Sequence, residues 1–175
     1  MEKLYDLFPD YARDLKINLQ NVLKQAELTE RQTWGTAVAS AMASRNPQLI
    51  RALLTEAGQH LTPEVMGAAK SAAAIMGMNN IYYRFQHLSG NPRYPQIPAR
   101  LRMQAIRSHG SDPLDFELWC TAVSAINGCG ACVMSHENVL REKGVTEETI
   151  LAAIRIASVI HGAASVLDTE AASVA

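Results

Sequence analysis

Outside the proline-rich segment 89–100, a residue whose side chain can cap a helix is followed directly by proline three times along this chain. These pairs are Asn46-Pro47, Thr62-Pro63 and Asp112-Pro113. Proline suits the first position of a helix because an N–H would have no intrahelical acceptor there. The preceding Asn, Thr or Asp side chain can accept a hydrogen bond from the first turn. Each pair therefore predicts the start of a helix.

The composition between these pairs also favours helix. Alanine, leucine and methionine are plentiful, aromatic residues make up 6% of the chain, and alternating β-branched runs are absent. The sequence therefore predicts an all-α fold. The segment 89–100, which contains one glycine and three prolines, is the one clear interruption. We expect helices over residues 10–26, 30–44, 47–58, 63–87 and 113–126, one that carries two cysteines and stops at Gly144, and a last one over 146–167.

The chain before this interruption resembles the chain after it. Trp34-Gly35-Thr36-Ala37-Val38 matches Trp119-Cys120-Thr121-Ala122-Val123 at an offset of 85 residues. A turn, a cap and an alanine-rich helix then follow in the same order at an offset of 84. The alternative is chance similarity between alanine-rich helices, but the matched order favours a duplicated unit. We predict a single domain, residues 1–175, with related halves at about 10–88 and 111–168.

Charge and hydropathy argue against nucleic-acid-binding, secreted and membrane-spanning proteins. The formal net charge is −1 and the pI about 6.5, so no basic surplus suggests nucleic acid or an anionic membrane as a partner. The first six residues carry acids where a signal peptide would be basic and then apolar. No uninterrupted apolar run approaches the length of a membrane span. We therefore expect a cytoplasmic protein that binds neither nucleic acid nor membrane.

The second half contains the groups that can carry chemistry. Cys129-Gly130-Ala131-Cys132 is followed four residues later by His136, and Glu117 lies twelve residues before the first cysteine. Helical residues three or four apart share a face, with Cβ atoms about 5–6 Å apart, which is close enough for a disulfide. Two thiols, an imidazole and a carboxylate can therefore meet in one small volume. Such a set suits thiol–disulfide chemistry.

The first half has no redox group at the matching positions. Opposite Glu117, Cys129, Cys132 and His136 it has Gln32, Ser44, Pro47 and Arg51. The fold therefore does not require these four residues. Because Cys132 lies opposite Pro47, it is expected in the first turn of its helix, where unpaired N–H groups and the helix dipole stabilise thiolate. The helix could instead begin at Gly128, which would place Cys132 a turn deeper.

These residue types suit peroxide chemistry. Thiolate is the reactive form of cysteine, and an ordinary thiol, with a pKa of about 8.5, needs activation. Glu117 could hold His136 in position or accept a proton from it, directly or through water. Attack of a thiolate on a peroxide gives a sulfenic acid, which a second thiol condenses to a disulfide. Another dithiol must then reduce that disulfide by exchange. The residues alone do not select the attacking cysteine.

A zinc-stabilised helical module without enzymatic activity is the main alternative from the residues. The two cysteines and His136 supply three ligands, and Cys120 or Glu117 could supply a fourth. However, structural zinc usually joins two widely spaced ligand couples, and no second couple occurs here. Cys120 lies in an apolar segment, where a lone cysteine is usually a small buried hydrophobic residue. Its three-residue spacing from Glu117 leaves a functional role open. We predict redox chemistry and no bound metal.

The spacing Glu117-x11-Cys129-x2-Cys132-x3-His136 resembles the alkyl hydroperoxidase D (AhpD) family of the carboxymuconolactone decarboxylase-like superfamily. The resemblance covers nearly the whole chain and implies an all-α, duplicated fold that assembles into homo-oligomers, commonly trimers. Four further stretches are similar to the family: residues 45–47, 74–80, 116–119 and 122–129.

The resemblance also implies an antioxidant thiol peroxidase and disulfide reductase. Cys132 would form the sulfenic acid, Cys129 would resolve it and exchange with partners, and Glu117 and His136 would relay protons. The implied reductant is dihydrolipoamide, a co-substrate held on a lipoyl-bearing dihydrolipoamide acyltransferase and recharged by dihydrolipoamide dehydrogenase. The implied client is an AhpC-type peroxiredoxin.

One position departs from part of the family. Some members carry a histidine just before the second cysteine, where this chain has Ala131. If that imidazole helps to activate the thiol, this protein would be a weaker direct peroxidase. A disulfide relay that reduces the peroxiredoxin without consuming peroxide is therefore the second hypothesis.

Overall fold

The structure is a computed structural model that describes residues 1–173, in which α-helices are joined by turns and by one longer connection over 90–112, and no β-strand occurs. The all-α prediction is confirmed for this part of the chain. The helices are α1 (Glu2–Tyr5), α2 (Arg13–Asn21), α3 (Glu30–Ser44), α4 (Pro47–Ala57), α5 (Pro63–Ser89), α6 (Pro113–Ile126), α7 (Gly130–Glu142) and α8 (Glu147–Ser173). Short 3-10 turns lie at Asp10–Ala12, Val22–Lys24, Tyr94–Gln96 and Gln104–Ile106.

The three predicted cap-proline pairs all begin helices. In each pair the side chain before the proline accepts a hydrogen bond from a backbone N–H of the first turn, at 2.8 Å for Asn46, 3.4 Å for Thr62 and 2.8 Å for Asp112. These bonds satisfy N–H groups that the helix itself leaves unpaired. Helices α4, α5 and α6 consequently begin at the predicted residues. The ends of α3, α4 and α6 also lie within one residue of the predicted bounds.

The helix predicted over residues 10–26 is wrong as one element. Only α2 is α-helical there, between two 3-10 turns, and the chain becomes extended at Gln25. The Gln25 side-chain amide donates both to the Val22 carbonyl, at 2.9 Å, and to the Ala152 carbonyl of α8, at 3.1 Å. This tertiary contact stabilises the early stop. At the other end, α8 continues past the predicted residue 167 to Ser173, because residues 168–173 contain no glycine or proline.

Helices α3 and α6 form the centre of the molecule. Nine consecutive residues of α3, from Thr33 to Ala41, are buried, and so is most of α6. Helix α3 packs against α5, α6 and α8, whereas α6 packs against α3, α5, α7 and α8. Burial on all sides explains why α3 consists largely of small residues, since these allow helix axes to approach closely. The end of α6 is thereby held against α5 and α7.

The order of helices is the same in the two predicted halves. Helices α3, α4 and α5 are followed by α6, α7 and α8, and α5 and α8 each have 27 described residues at an offset of 84. This supports the prediction of two related halves, which stays a prediction. Contacts of α3 with α6 and α8 join the halves in one core.

Helix α8 is long and apolar enough to cross a membrane by length and composition. Its most apolar 18-residue window has a mean hydropathy of 1.8, and half of that window is buried within the fold. Arg155 and His161 interrupt the run, which agrees with the absence of an uninterrupted apolar span in the sequence. The buried face of α8, including Ile156, Ile160 and Leu167, belongs to the core. Core helices of this kind share the hydropathy of membrane spans.

We predict that Gly35→Ala destabilises the protein. A Cβ at Gly35 on α3 would overlap the indole ring of Trp119 on α6, which is fully buried and has no free space to move into. Overpacking of this kind costs about 1–3 kcal/mol in free energy of unfolding, measurable by urea denaturation.

Gly67→Ala on α5 is the matched control, because nothing lies within 4 Å of the added Cβ. Helix propensity should stabilise that variant by up to about 1 kcal/mol. Equal stability of Gly35→Ala and the unsubstituted protein would contradict the close packing described.

Candidate redox site

The turn between α6 and α7 fixes the first cysteine. Gly128 adopts a left-handed conformation, with φ +68°, which glycine tolerates without strain. Its N–H donates to the Ala125 carbonyl at 3.1 Å, and the Cys129 N–H donates to the Ser124 carbonyl at 3.0 Å. These two bonds define a Schellman motif, a common C-terminal helix cap. The break predicted at Asn127-Gly128 is therefore confirmed, and it delivers Cys129 to the start of the next helix.

Cys129 is the N-cap residue of α7, and Cys132 is the third residue of that helix. The two form a disulfide with Cα atoms 5.3 Å apart. The Cys132 N–H points to the Cys129 sulfur at 3.4 Å. Cys132 thus lies in the first turn, as predicted, although α7 begins at Gly130 rather than at Cys132 or Gly128. Both sulfurs are held at the positive end of a helix dipole, which favours thiolate when the pair is reduced.

His136 on α7 and Glu117 on α6 form a hydrogen-bonded pair that is mostly buried. The His136 Nδ1 lies 2.6 Å from the Glu117 Oε2, and the side chains are 14% and 19% exposed. A carboxylate only accepts hydrogen bonds, so Nδ1 is the donor and carries a proton. In the neutral ring, Nε2 then presents a lone pair and can act as a base. The structure brings together the four candidate residues predicted from the sequence.

A cavity of about 330 Å³ reaches the His136–Glu117 pair, and only one of the two cysteines lies on its wall. Cys132, His136 and Glu117 all line it, together with apolar side chains such as Ile106 and Val139. Cys129 is not part of the cavity wall and is fully buried, whereas Cys132 is 6% exposed. A molecule entering the cavity therefore meets Cys132 and not Cys129.

Helix α5 supplies a cavity wall that was not predicted from the sequence. Met76, Asn79 and Tyr83 share one face of α5 and line the cavity, and the Met76 sulfur lies 3.3 Å from the His136 Nε2. Their spacing places them on one helix face, but other large side chains lie between them in the second half of α5, so the sequence gives no clear signal for this wall. The contact of Nε2 on α5 is thus a thioether sulfur, which is a weak hydrogen-bond acceptor.

A buried amide network ties α5 to the turn before Cys129. The Asn80 side chain donates to the Ser124 hydroxyl at 2.9 Å and accepts from the Asn127 side chain at 2.9 Å. Arg84 donates to the Asn127 carbonyl. Asn80 is 1% exposed, so its bonds are shielded from water. This network fixes the C-terminal end of α6, and with it the position of the disulfide.

Cys120 is separate from the site, despite its spacing from Glu117. It is 1% exposed and belongs to the hydrophobic core. Burial, together with the nearby Glu117 charge, raises the pKa of the Cys120 thiol well above its usual value. The thiol therefore stays protonated near neutral pH, which agrees with the prediction of a buried hydrophobic residue.

The geometry does not provide the ligand set that the zinc alternative requires. Within residues 1–173, no group of three or more His, Cys, Asp or Glu side chains is placed to share a metal ion. The disulfide also occupies both sulfurs that a zinc ion would need.

We predict that alkylation separates the three thiols. After reduction of the native protein near pH 8, iodoacetamide should label Cys132 first and leave Cys120 unlabelled, since only thiolate reacts and Cys120 is buried and protonated. Mass spectrometry of peptides counts the labels. Unfolding in urea should make Cys120 reactive, which is the control. Label on Cys120 in the folded protein would contradict its assignment to the core.

Known proteins are similar to this chain in sequence over its full length. The carboxymuconolactone decarboxylase family model matches residues 92–175. The chain is 65% identical over 175 residues to the alkyl hydroperoxide reductase AhpD of Solibacter usitatus, covering 100% of this chain and 99% of that protein. It is 56% identical over 171 residues to the protein of the same name from Acidobacterium capsulatum, covering 97% and 93% of the two chains. The corresponding protein of Koribacter versatilis is 57% identical over 171 residues, covering 97% and 88%. Identity of this extent confirms the resemblance seen in the sequence, and the chain belongs to the AhpD family of the carboxymuconolactone decarboxylase-like superfamily.

Proposed function

We propose that this protein is an antioxidant thiol peroxidase that reduces alkyl hydroperoxides through its Cys129–Cys132 pair. The observation that carries the proposal is the position of Cys132, in the first turn of α7 and on the wall of a cavity that His136 and Glu117 also line. The relatives' name, alkyl hydroperoxide reductase AhpD, supports the same activity.

The cavity favours Cys132 as the attacking residue. In the reduced protein, the Cys132 thiolate attacks the terminal oxygen of the hydroperoxide ROOH, and the O–O bond breaks. The products are the Cys132 sulfenic acid and an alkoxide, which takes one proton to become the alcohol ROH. The Cys129 thiol then attacks the sulfenic sulfur, forming the disulfide and releasing water. The buried position of Cys129 suits a resolving role, since it only needs to reach Cys132.

His136 and Glu117 can handle the protons of this step. The His136 Nε2 takes the proton of the Cys132 thiol and later returns it to the leaving alkoxide. The imidazolium formed in between is stabilised by the Glu117 carboxylate, which lies 2.6 Å from Nδ1. Because the carboxylate also fixes the ring orientation, Nε2 is directed away from α6.

We further propose that dihydrolipoamide restores the reduced pair. It would be held on a lipoyl-bearing dihydrolipoamide acyltransferase and recharged by dihydrolipoamide dehydrogenase, and an AhpC-type peroxiredoxin would be a disulfide client. The apolar cavity wall suits the hydrocarbon part of such a dithiol. The family resemblance assigns partner exchange to Cys129. In the disulfide form that sulfur is fully buried, so exchange there requires the turn between α6 and α7 to open.

A disulfide relay without peroxidase activity is the second candidate function. It is favoured by Ala131, which lines the cavity beside Cys132 where some family members carry an imidazole. The relay would reduce the peroxiredoxin at useful rates and consume no peroxide by itself.

A coupled assay tests the proposed function. The protein is mixed with lipoamide, dihydrolipoamide dehydrogenase and NADH, and NADH loss is followed after addition of tert-butyl hydroperoxide. We expect peroxide-dependent turnover, reduced to background by Cys132→Ser and retained by Cys120→Ala, the matched control in the core. A Cys129→Ser variant should accumulate a sulfenic acid at Cys132 that dimedone traps.

Two results of this assay would contradict part of the proposed peroxidase mechanism. Activity retained by Cys132→Ser would contradict the assigned nucleophile. No turnover, in protein whose disulfide dihydrolipoamide still reduces, would favour the relay.

We also propose a homo-oligomer, most simply a trimer. Large apolar side chains at the end of α5 and in the following segment lie exposed on the single chain: Ile81, Phe85, Leu88, Ile97 and Leu101. An apolar surface of this kind is typical of an interface between copies. The cytoplasmic location expected from the sequence stays a prediction.

We predict that Leu88→Glu weakens this assembly. Leu88 is 75% exposed, so the substitution costs the single chain little, whereas a charge buried in an apolar interface is strongly unfavourable. Light scattering coupled to gel filtration should give the mass of three chains for the unsubstituted protein and a lower mass for the variant. Leu151→Glu, at an exposed apolar position on α8, is the control and should leave the mass unchanged. A monomeric unsubstituted protein would exclude the oligomer.

A further inference from the structure

Asn79 is a buried amide on the wall of the redox cavity. It is 3% exposed, and its side-chain oxygen is buried without a hydrogen-bond partner among residues 1–173. Burying an amide oxygen without a partner disfavours the folded state, so such a group in a native protein calls for a reason. Asn79 lines the same cavity as Cys132 and His136. Because Asn79 shares this cavity with Cys132, a bound substrate is the partner to consider for its amide.

The neighbouring residue shows that the local structure can satisfy an amide. Asn80 uses both its oxygen and its nitrogen, in bonds of 2.9 Å to Asn127 and Ser124. Asn79 lies one residue earlier on α5, faces the cavity and lacks such an arrangement for its oxygen. The two side chains therefore differ in role: Asn80 holds the turn that precedes Cys129, whereas Asn79 is left with free hydrogen-bonding capacity.

The chemistry of a hydroperoxide identifies what Asn79 can bind. The terminal oxygen of ROOH carries a hydrogen and needs an acceptor, while the thiolate must approach that same oxygen. Ser135 and Tyr83 also place hydroxyl groups on the cavity wall, and one Glu117 oxygen accepts from His136. Among the side chains that line the cavity, only Asn79 has a buried polar atom without a hydrogen-bond partner within residues 1–173. Rotation about the last side-chain bond exchanges the positions of the amide oxygen and nitrogen, so the oxygen can be presented to the cavity.

We propose that the Asn79 amide oxygen accepts the hydrogen bond of the terminal hydroperoxide O–H and so orients this oxygen towards the Cys132 sulfur. The hydrogen stays on that oxygen throughout the step. The S–O bond forms, the O–O bond breaks, the alkoxide leaves and takes its proton from His136, and the sulfenic acid S–O–H retains the original hydrogen. The same acceptor can therefore hold the substrate and the sulfenic acid. This inference rests on the proposed peroxidase function and adds the residue that positions its substrate.

The two half-reactions and the adjacent asparagines provide the test. Asn79→Leu and Asn80→Leu are compared with the unsubstituted protein in single-turnover oxidation by tert-butyl hydroperoxide and by hydrogen peroxide. Each is also compared in reduction of the disulfide by dihydrolipoamide and in thermal unfolding. For Asn79→Leu we expect oxidation to slow by roughly tenfold or more with both peroxides, since one hydrogen bond at the reacting group is lost. Reduction should stay within about twofold, and the unfolding temperature should be unchanged or higher, because an unpaired buried amide is removed.

Asn80→Leu should behave differently. Loss of a bonded amide should lower the unfolding temperature and change both half-reactions together. The inference would be overturned if the oxidation rate of Asn79→Leu were unchanged, or if this variant showed the pattern expected for Asn80→Leu. A loss of rate confined to the bulkier peroxide would also overturn it, because leucine would then only block the cavity. Failure of the unsubstituted protein to react with either peroxide would instead overturn the proposed function, and the inference with it.

Discussion

The close packing of α3 against α6 is the contact on which the other features depend. The Trp119 ring lies where a side chain at Gly35 would otherwise be, and both helices are buried along most of their length. A fixed Trp119 fixes the register of α6. Glu117, two residues earlier, is therefore directed towards α7, and Cys120 is directed into the core. The core and the redox site are thus aligned by the same helix.

Two local structural features position the cysteines relative to α6. The Schellman motif at Gly128 ends α6 and places Cys129 at the cap of α7, while the Asn80 network holds the end of α6 against α5. Both act on backbone or fully bonded amide groups, which have little freedom to move. Preorganisation of this kind lets a small site retain its geometry when the disulfide is broken and formed.

Features that depend on local chemistry were predictable from the sequence, whereas those that depend on distant contacts were not. Capping side chains and Gly128 act within one turn of their position, so the starts of α4, α5 and α6 and the break before Cys129 follow from the residues themselves. The early end of α2 depends on a bond from Gln25 to Ala152, 127 residues away. The cavity wall on α5 likewise becomes visible only when α5 is packed against α7. An alanine-rich helix gives little periodic signal of which face will matter.

The complete burial of Cys129 has a kinetic consequence for the proposed chemistry. While the turn between α6 and α7 stays closed, only Cys132 can be reached, and it is reached through the cavity. An oxidant in the cavity and a reductant bound for either cysteine therefore cannot both be accommodated in this closed form. Turnover would then alternate between an oxidised and a reduced enzyme, with no ternary complex. An excess of either small substrate would slow the cycle by occupying the cavity while the enzyme is in the wrong redox state. The burial of the Cys129 sulfur would thereby determine the order in which oxidant and reductant bind.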